Sequence, residues 1–285
     1  MSSTQTQVQT ATAPGTVLAE LNFFKPPEND EKPHNYMYAG PEPQRNFGDI
    51  PHVVPIEDIR GRENEFSLDK SGFQVVHAPS QTTYEDFNDE EKIKTKYYAE
   101  IEDILKKVTG AHKVVIFDHT IRRAIPGQVD KPSSRGPVGR VHIDQTPWAG
   151  EERVRLHTGD EAEALLRERV QIINVWRPIN GAVEDHPLAL ADYRSVDWEN
   201  DLVPVTLKYR DRDGETFSVK YSDKLKFYYK SRIDSDEVYL IKCFETKLDG
   251  RARLTPHTAF TDPNTPDNAR PRESIEVRAL VFSHE

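Results

Sequence analysis

The second half of the chain consists of short β-branched and aromatic runs with turns at close intervals, and this pattern restricts the possible folds more than any other feature. Such runs are typical of strands. They cover residues 170–176, 202–209, 216–221, 226–229, 238–244, 257–260 and 274–282. Asp213-Gly214 stands between two of these runs and is typical of a hairpin turn. With two or three earlier helices, the strands predict an α+β chain whose core is a double β-sheet, such as a jelly roll or a barrel.

The first part of the chain divides into a tail and an arm. Residues 1–15 are mainly Ser, Thr, Gln and Ala, and we expect this tail to be disordered because it offers little apolar surface to bury. Residues 16–80 are interrupted by Pro and Asn, which predicts an irregular N-terminal arm with one or two strands. Residues 81–285 would hold the helices and the sheet core, so that 16–285 forms a single domain.

Two helices, a strand and a loop are predicted between the arm and the strand-rich half. Apolar residues recur at three- and four-residue spacing over about 84–108, and Gly110 follows as a C-terminal cap. A strand is predicted over 113–119. Residues 158–161, Thr-Gly-Asp-Glu, have the pattern of a capping box, which predicts a helix from there to about residue 168. The Pro- and Gly-rich loop 126–139 is interpreted as a lid or as a plain surface loop.

The composition excludes several classes of protein. A formal net charge of -10 and a pI near 5.5 argue against a nucleic-acid or anionic-membrane partner, because a phosphate-binding surface needs a basic excess. The chain has no apolar run near twenty residues and no signal-peptide pattern, so we expect a soluble, cytoplasmic protein. The single cysteine, Cys243, excludes an internal disulfide and a cysteine-based zinc site. The oligomeric state stays open, a homo-oligomer included.

The stretch 141–146, Val-His-Ile-Asp-Gln-Thr, places His142 and Asp144 two residues apart. On a strand these two side chains project from the same face and can meet at one point above the sheet. A second histidine from a distant strand would complete the two-His-one-carboxylate arrangement that holds Fe(II) and leaves positions open for oxygen and a co-substrate. Alone, His-x-Asp is a weak signal, and the alternative is a strand-end pair that hydrogen-bonds internally or to solvent.

His257 is the best candidate for the second histidine because it begins a predicted strand in the last third of the chain. His157 is excluded because it is too close to His142 in the sequence. His186 is excluded because it lies in a Pro-flanked loop, and His284 because it is terminal. A co-substrate with a carboxylate, such as 2-oxoglutarate, also needs a cation, and arginine matches a carboxylate with its planar fork. Arg272 stands at the mouth of the last predicted strand and Arg278 within it, although each could equally form a surface ion pair.

Five stretches then carry a resemblance to a known family. They are VHIDQT at 141–146, IINVWRP at 172–178, LIKCF at 240–244, TPHTAF at 255–260 and PRESIEVR at 271–278. In these stretches the sequence resembles the fungal and bacterial oxygenase family that includes the gibberellin desaturase, the aspergillic-acid hydroxylase/desaturase AsaB and a chain of the cephamycin methoxylation system. The resemblance covers roughly residues 90–283, and its motifs are specific to the family rather than to a substrate.

This resemblance implies a non-haem Fe(II)/2-oxoglutarate-dependent oxygenase on a double-stranded β-helix (jelly roll) with flanking helices. His142, Asp144 and His257 would hold the iron, Arg272 would pair with the 2-oxoglutarate carboxylate, and Arg278 is a second candidate for that pairing or for the substrate. O2 would be the further co-substrate, with ascorbate as a reductant. The resemblance implies oxidation of an unactivated C–H bond of a small molecule, by hydroxylation, desaturation or oxidative cyclisation, in fungal secondary metabolism.

Residues near the predicted site could shape a substrate pocket. The candidates are Gln145, Asn174, Trp176, Arg177, Tyr228 and Tyr229. Core packing is the alternative for the tryptophan and the tyrosines, whereas Asn174 and Arg177 could donate hydrogen bonds around the metal ligands. Two other functions stay as alternatives: a non-catalytic partner subunit of a biosynthetic complex, and a metal-dependent isomerase or lyase on the same fold. Iron content and succinate release would separate these alternatives from an oxygenase.

Overall fold

The structure, a computed structural model, describes residues 15–123 and 137–284. Nearly all of the predicted disordered tail and most of the predicted lid loop therefore lie outside the described residues. Strands dominate the described part of the chain. They are β1 Thr16–Lys25, β2 His34–Tyr36, β3 Gly48–Asp58, β4 Phe73–His77, β5 Lys113–Arg123, β6 His142–Ile143, β7 Arg169–Pro178, β8 Leu188–Ala191, β9 Leu202–Lys208, β10 Asp213–Val219, β11 Phe227–Tyr229, β12 Glu237–Glu245, β13 His257–Ala259 and β14 Glu273–Ser283.

Helices are short and lie mainly before β7. They are α1 Glu90–Lys92, a π-helical turn Ile93–Tyr97, α2 Tyr98–Thr109, α3 Pro147–Thr158, α4 Ala162–Leu165 and α5 Trp198–Asp201, with 3-10 turns at Glu63–Glu65, Glu85–Asn88, Gly159–Glu161 and Tyr193–Ser195. α1, the π-helical turn and α2 are continuous, and Gly110 ends them in the left-handed region at φ 70°, as predicted. Across 15–123 and 137–284, none of the helices combines the length and apolarity needed to cross a membrane.

The strands form two sheets that face each other across the main apolar core. The larger sheet has nine strands in the order β1-β3-β11-β8-β13-β6-β10-β9-β2, and the smaller has five in the order β4-β12-β7-β14-β5. Leu188 and Leu190 of β8 meet Ile172 and Trp176 of β7 between the sheets. Two facing sheets with helices at their side agree with the predicted α+β class and jelly-roll core.

Helix α2 covers the outer face of the smaller sheet. The side chains of Ile173 and Val175 of β7 point away from the space between the sheets and pack with Ile101 and Leu105 of α2. Because successive strand residues point to opposite faces, Asn174, between these two, faces the other sheet. This alternation decides which side chains of β7 and β14 can reach a site inside the fold.

The arm contributes more strands than the one or two predicted. β1, β2 and β3 belong to the larger sheet, and β4 is an edge of the smaller one. Asn22 of β1 forms an isolated bridge with Arg140, so this edge of the sheet curls back to the segment just before β6. The prediction missed β3 because Pro51 and Pro55 lie within it, and proline ordinarily counts against a strand.

The capping box predicted at 158–161 is wrong. Thr158 is the last residue of α3, and its hydroxyl donates to a carbonyl one turn earlier at 2.8 Å instead of capping a following helix. Helix α3 itself was not predicted. Thr146 caps it by accepting the Ala149 N–H at 3.3 Å, with a proline at the first helical position. The Thr-Pro pair was therefore the signal that could have revealed α3.

β9 and β10 form the predicted hairpin, but with a different turn. Asp213 pairs with Lys208, so Asp213-Gly214 belongs to β10, and residues 209–212 make the connection. β10 then pairs with β6, where Ser218 lies opposite His142. The hairpin thus stands beside the strand that carries the first predicted metal ligand.

Candidate metal centre

The three predicted metal ligands, His142, Asp144 and His257, lie together between the sheets. β6 and β13 are adjacent and antiparallel, with His142 opposite His257 and their ring centroids 4.5 Å apart. His142 Nε2 lies 3.3 Å from Asp144 Oδ1. One ligand atom from each of the three residues lies within 4.8 Å of the others. Three atoms so placed can contact one metal ion and leave its opposite side open.

Each imidazole is oriented by a backbone carbonyl two residues earlier in the chain. His142 Nδ1 lies 2.8 Å from the Arg140 oxygen, and His257 Nδ1 lies 2.9 Å from the Thr255 oxygen. A carbonyl oxygen can only accept, so both Nδ1 atoms carry a proton. In the neutral form of each ring, Nε2 then keeps the lone pair, which is the tautomer that a metal-binding histidine needs.

The second oxygen of Asp144 is held by two donors from the smaller sheet. Asn174 Nδ2 donates to Asp144 Oδ2 at 2.7 Å, and Arg278 Nε donates to the same oxygen at 3.1 Å. Asn174 on β7 and Arg278 on β14 are directly opposite each other in the strand register. The carboxylate is thereby fixed with Oδ1 on the side of the histidines.

The guanidinium of Arg278 is shared among three carboxylates. Besides Asp144, it lies 3.0 Å from Asp118 Oδ1 and 2.5 Å from Glu276 Oε1. A bulge in the pairing of β14 with β5 falls directly after Arg278, where a bulge can re-aim a side chain. A guanidinium engaged in this way is already paired, which conflicts with the predicted use of Arg278 for a co-substrate carboxylate.

Burial and neighbouring charges set the protonation of the cluster. Burial by itself raises the pKa of Asp144, but Arg278 and the two imidazoles outweigh burial and hold that pKa well below its usual value. Burial lowers the pKa of His257, and the adjacent His142 lowers it further. At neutral pH the site therefore presents a carboxylate beside the neutral imidazole of His257, which are the forms that bind a divalent cation.

Arg272 stands just before β14 and is buried, and none of the carboxylates in the described chain forms an ion pair with it. Its guanidinium lies over the Trp176 ring, 5.4 Å from the centroid, and Nη1 donates to the His186 carbonyl. Its buried Nε has no hydrogen-bond partner among the described residues. Burial, then the positive charge of Arg122, lowers the pKa of Arg272 to about 10, so the side chain stays cationic at neutral pH. A buried cation with a free donor is suited to an incoming carboxylate.

Ser274 is a candidate site residue that the sequence analysis missed. It follows Arg272 by two residues at the start of β14, and its buried hydroxyl also lacks a hydrogen-bond partner in the described chain. The Arg-x-Ser spacing on a predicted strand was the available signal, because residues two apart share a face. Arg272 and Ser274 together offer two unused donors.

Half of the predicted pocket residues lie at the cluster or beside it: Gln145, Asn174 and Trp176. Asn174 is fully buried and contacts Asp144 directly. Trp176 lies beneath the guanidinium of Arg272. Gln145 is buried next to Asp144 in the chain and lines a small cavity of about 140 Å³ with it.

The other predicted pocket residues have packing roles: Arg177, Tyr228 and Tyr229. The expectation for Arg177 is corrected by the alternation of β7, which turns this residue to the helix-covered face, where its Nε donates to the Tyr97 hydroxyl at 3.0 Å. Tyr229 packs edge-on against Phe260, with centroids 5.4 Å apart, in the apolar cluster on the outer side of the larger sheet. Tyr228 belongs to an aromatic cluster with two phenylalanines.

A cavity of about 550 Å³ opens beside His142 and Asp144. Its lining includes Asn35, Met37 and Phe47 from the arm, together with residues of β9 and β10. The volume lies within the range of about 300 to 1,000 Å³ that is common for small-molecule sites. The arm residues were missed because they are about 100 positions from the metal-ligand motif in an irregular segment.

A larger hollow of about 830 Å³ on the arm contacts neither His142 nor Asp144 and is therefore remote from the predicted metal ligands.

The fold has facing sheets, a two-His-one-carboxylate cluster between them and a buried arginine that forms no ion pair with the described residues. Together these features are typical of non-haem iron oxygenases. Comparisons with known proteins support the same class. A family model described as an oxidoreductase/YMDC permease-like domain matches residues 21–282. The hydroxylase/desaturase efuI of Hormonema carpetanum is 39% identical over 251 residues, which cover 80% of this chain and 83% of that protein. The Fe(II)/2-oxoglutarate-dependent dioxygenase nvfI of Aspergillus novofumigatus is 35% identical over 268 residues, which cover 91% of this chain and 95% of that protein.

A solved structure of the iron and alpha-ketoglutarate-dependent endoperoxidase NvfI matches with a TM-score of 0.87 at 32% identity, covering 96% of this chain and 100% of that one. The chain therefore belongs to this family of Fe(II)/2-oxoglutarate-dependent dioxygenases and hydroxylase/desaturases. It is an oxidoreductase that uses Fe(II), 2-oxoglutarate and O2 to oxidise a small molecule in fungal secondary-metabolite biosynthesis. The predicted family, jelly-roll fold, enzyme class and cofactors are confirmed, and the alternative of a non-catalytic partner subunit is not supported.

Proposed function

We propose that His142, Asp144 and His257 hold the Fe(II) ion of this oxygenase. The convergence of both Nε2 lone pairs and one Asp144 oxygen between the sheets carries the proposal. Three protein atoms on one side of the ion leave three coordination positions for 2-oxoglutarate and O2. The neutral imidazole of His257 and the low pKa of Asp144 also suit a divalent cation, because neither group must lose a proton at neutral pH.

Arg272 and Ser274 would hold the carboxylate of 2-oxoglutarate that lies away from the metal. Arg272 brings an unpaired positive charge with a free Nε, and Ser274 brings a free hydroxyl. Trp176 supports the guanidinium from one face, which limits its rotation. Leaving two buried donors unused costs free energy, and a bound carboxylate would recover it.

Arg278 and Asn174 would position Asp144 rather than bind the co-substrate. Both donate to Oδ2, so the carboxylate can offer the metal only Oδ1 unless one of these bonds breaks. A carboxylate that binds through one oxygen takes one coordination position instead of two. This arrangement would keep a position free for O2 or for the co-substrate.

When bound together, Fe(II), 2-oxoglutarate and O2 would supply an oxidant able to remove hydrogen from an unactivated C–H bond, and 2-oxoglutarate would be converted to succinate and carbon dioxide by taking up one oxygen atom of O2. The residues of the chain orient the reactants and exclude water. His257 is only 3% exposed, and the ligands lie between two apolar sheets, which shields the reaction from solvent.

The substrate would occupy the cavity of about 550 Å³ beside His142 and Asp144. Met37, Phe47 and Leu207 give this cavity an apolar wall, and its polar lining includes Asn22, Asn35, Asp49, Arg140, Thr216 and Ser218. These walls suit a small molecule that has both an apolar part and several polar groups. The C–H bond that the walls present to the metal would decide between hydroxylation, desaturation and oxidative cyclisation.

We further propose that residues 16–285 form one domain and that the enzyme is cytoplasmic. Pairing of the arm strands into both sheets supports a single domain, because the sheets would lose their edges without the arm. Cys243, the single cysteine of the sequence, is a buried free thiol, which is compatible with a reducing compartment.

Succinate formation without added substrate tests the proposal. Oxygenases of this kind turn over 2-oxoglutarate slowly on their own, so the wild-type chain with Fe(II), 2-oxoglutarate and O2 should release succinate. His142→Ala, Asp144→Ala and His257→Ala should release none, while His77→Ala, which alters an exposed histidine at the end of β4, should match the wild type. Equal succinate release from His257→Ala and the wild type would refute the assignment. A metal-dependent isomerase or lyase should form none in any variant.

A further inference from the structure

A second group of potential metal ligands lies at the end of the smaller sheet. His112 directly precedes β5, Glu168 directly precedes β7, and His284 directly follows β14. β14 pairs antiparallel with both neighbours, so its last residues meet the first residues of β5 and β7. Three residues far apart in sequence are thus brought together by the backbone of three adjacent strands.

The backbone near these residues is well fixed. The His112 N–H donates to the Phe282 carbonyl at 3.0 Å, and Ser283 is paired with Arg169. His112 and Glu168 therefore extend from paired strand ends, and His284 follows the last paired residue of β14. The placement of this cluster is consequently a property of the sheet and does not depend on a long loop.

The ligand atoms are spaced as a zinc ion requires. Glu168 Oε2 lies 2.6 Å from His112 Nε2 and 3.7 Å from His284 Nδ1, and all three atoms lie within 4.8 Å of one another. Ligands held tetrahedrally at about 2.0 to 2.1 Å from zinc stand about 3.3 Å apart. The two observed separations bracket that value, but the two parallel rings cannot share one ion in their planes, so the exposed His284 ring must turn out of the stack to close the site.

The two imidazoles stack face to face, with centroids 3.9 Å apart and planes at 4°. Two protonated imidazoles in this arrangement would repel each other beside a single carboxylate. A divalent cation removes the repulsion, because it binds both rings in their neutral form and pairs with the carboxylate charge. Partial exposure of all three residues leaves room for a water molecule as the fourth ligand.

We propose that His112, Glu168 and His284 form a second metal site that binds Zn²⁺ and joins the ends of β5, β7 and β14. His284 lies six positions after Arg278, which contacts Asp144, so this site lies roughly 20 Å from the proposed iron ligands. It is independent of the oxygenase reaction. Its role is to stabilise the sheet end, where the last strand of the chain stops.

Zinc titration of the full chain, freed of any affinity tag, tests the proposal. Binding is measured by competition with a chromophoric chelator. The wild type should bind two Zn²⁺ ions, one at each cluster, because the iron ligands also accept zinc. His112→Ala and Glu168→Gln should each bind one, and so should His257→Ala. The double variant His112→Ala/His257→Ala should bind none, while the control His77→Ala should bind two.

Thermal unfolding gives a second readout. Zn²⁺ should raise the melting temperature of His257→Ala, in which only the strand-end site remains, and should leave that of the double variant unchanged. Equal zinc stoichiometry in the wild type and in His112→Ala would overturn the proposal, as would identical melting shifts in the single and double variants. Succinate formation by His112→Ala should equal that of the wild type, so failure of this site is distinguishable from failure of the iron site.

Discussion

Arg278 Nε donates to Asp144 Oδ2 at 3.1 Å, while the other oxygen of the same carboxylate lies 3.3 Å from His142 Nε2. The two oxygens of Asp144 therefore have different environments, one facing the cluster of ligands and one held by the smaller sheet. Arg278 connects the β14 backbone to Asp144, the proposed metal ligand that directly follows β6 of the opposite sheet. Because this contact spans the two sheets, the position of the Asp144 carboxylate depends on the distance between them.

Replacing Arg278 should weaken Fe(II) binding without abolishing the fold. Arg278→Lys keeps a positive charge but loses the Nε–H, so Asp144 gains freedom to rotate. Loss of such a supporting contact typically costs about 10- to 100-fold in metal affinity, and we expect a loss in this range by anaerobic Fe(II) titration. Asn174→Leu, which removes the other donor to Oδ2, should weaken Fe(II) binding in the same direction. Unchanged Fe(II) affinity in both folded variants would contradict the positioning role.

Arg272 should control affinity for 2-oxoglutarate and not for iron. A hydrogen bond to a charged group contributes about 1.5 to 3 kcal/mol, so Arg272→Met should raise the Kd for 2-oxoglutarate about 10- to 150-fold. Ser274→Ala should raise it less, since its hydroxyl is neutral. The control is Arg232→Met, which alters an arginine that is 68% exposed. Calorimetry of the Fe(II)-loaded protein measures both constants, and a normal Kd for 2-oxoglutarate in Arg272→Met would exclude Arg272 as its anchor.

His157 should make the stability of the protein fall in mild acid. Burial, and then the charge of Arg153, lowers the pKa of His157, so the unfolded chain binds a proton more readily than the folded one. The stabilisation is complete above the unfolded pKa of about 6.5 and is lost as the pH falls through that value towards the folded pKa. His157→Phe should retain the stacking on Phe117, whose ring centroid is 5.0 Å away. Urea unfolding between pH 7.5 and 5.5 should show a shallower loss of stability in this variant than in the wild type, and equal slopes would contradict the prediction.

Lys242 should be a major contributor to stability away from the site. Its side chain is fully buried, and Nζ lies 2.8 Å from Asp69 Oδ1 and 3.0 Å from Glu245 Oε2. Lys242→Ala would leave Glu245 buried, with Arg169 as its ion-pair partner in the described chain and the Lys247 N–H, 3.1 Å from Oε1, as a neutral donor. Removing one member of a buried ion pair costs about 3 to 5 kcal/mol, and the remaining arginine favours the lower end. A loss below about 1 kcal/mol in urea unfolding would show that Arg169 alone compensates Glu245.

Sequence patterns predicted local features well and long-range ones poorly. The helix ending at Gly110 and the strands of the second half follow from periodicity and turn residues, which are local. The sequence could not show to which face of β7 the side chain of Arg177 points, because a register shift of one residue exchanges the two faces of a strand. The arm strands depend on pairing with distant partners, and Pro51 and Pro55 concealed β3.

The candidate site shows the same limit. His142 lies in β6 and Asp144 directly follows that strand, and their proximity could be predicted from the two-residue spacing alone. The pairing of Arg278 with Asp144 could not, since it requires the register between two strands and the distance between two sheets. Ser274 was detectable in principle from its position two residues after Arg272. The contribution of Met37 and Phe47 to the cavity required the complete fold.

Anaerobic addition of Fe(II) and then 2-oxoglutarate to the purified chain tests the central claim most directly. The complex of the metal with this co-substrate absorbs weakly in the visible region. We predict that the band appears in the wild type, is absent in His257→Ala, and in Arg272→Met requires much more 2-oxoglutarate. A band of equal strength in His257→Ala, or no band in the wild type together with no heat of binding, would contradict the assignment of the iron site.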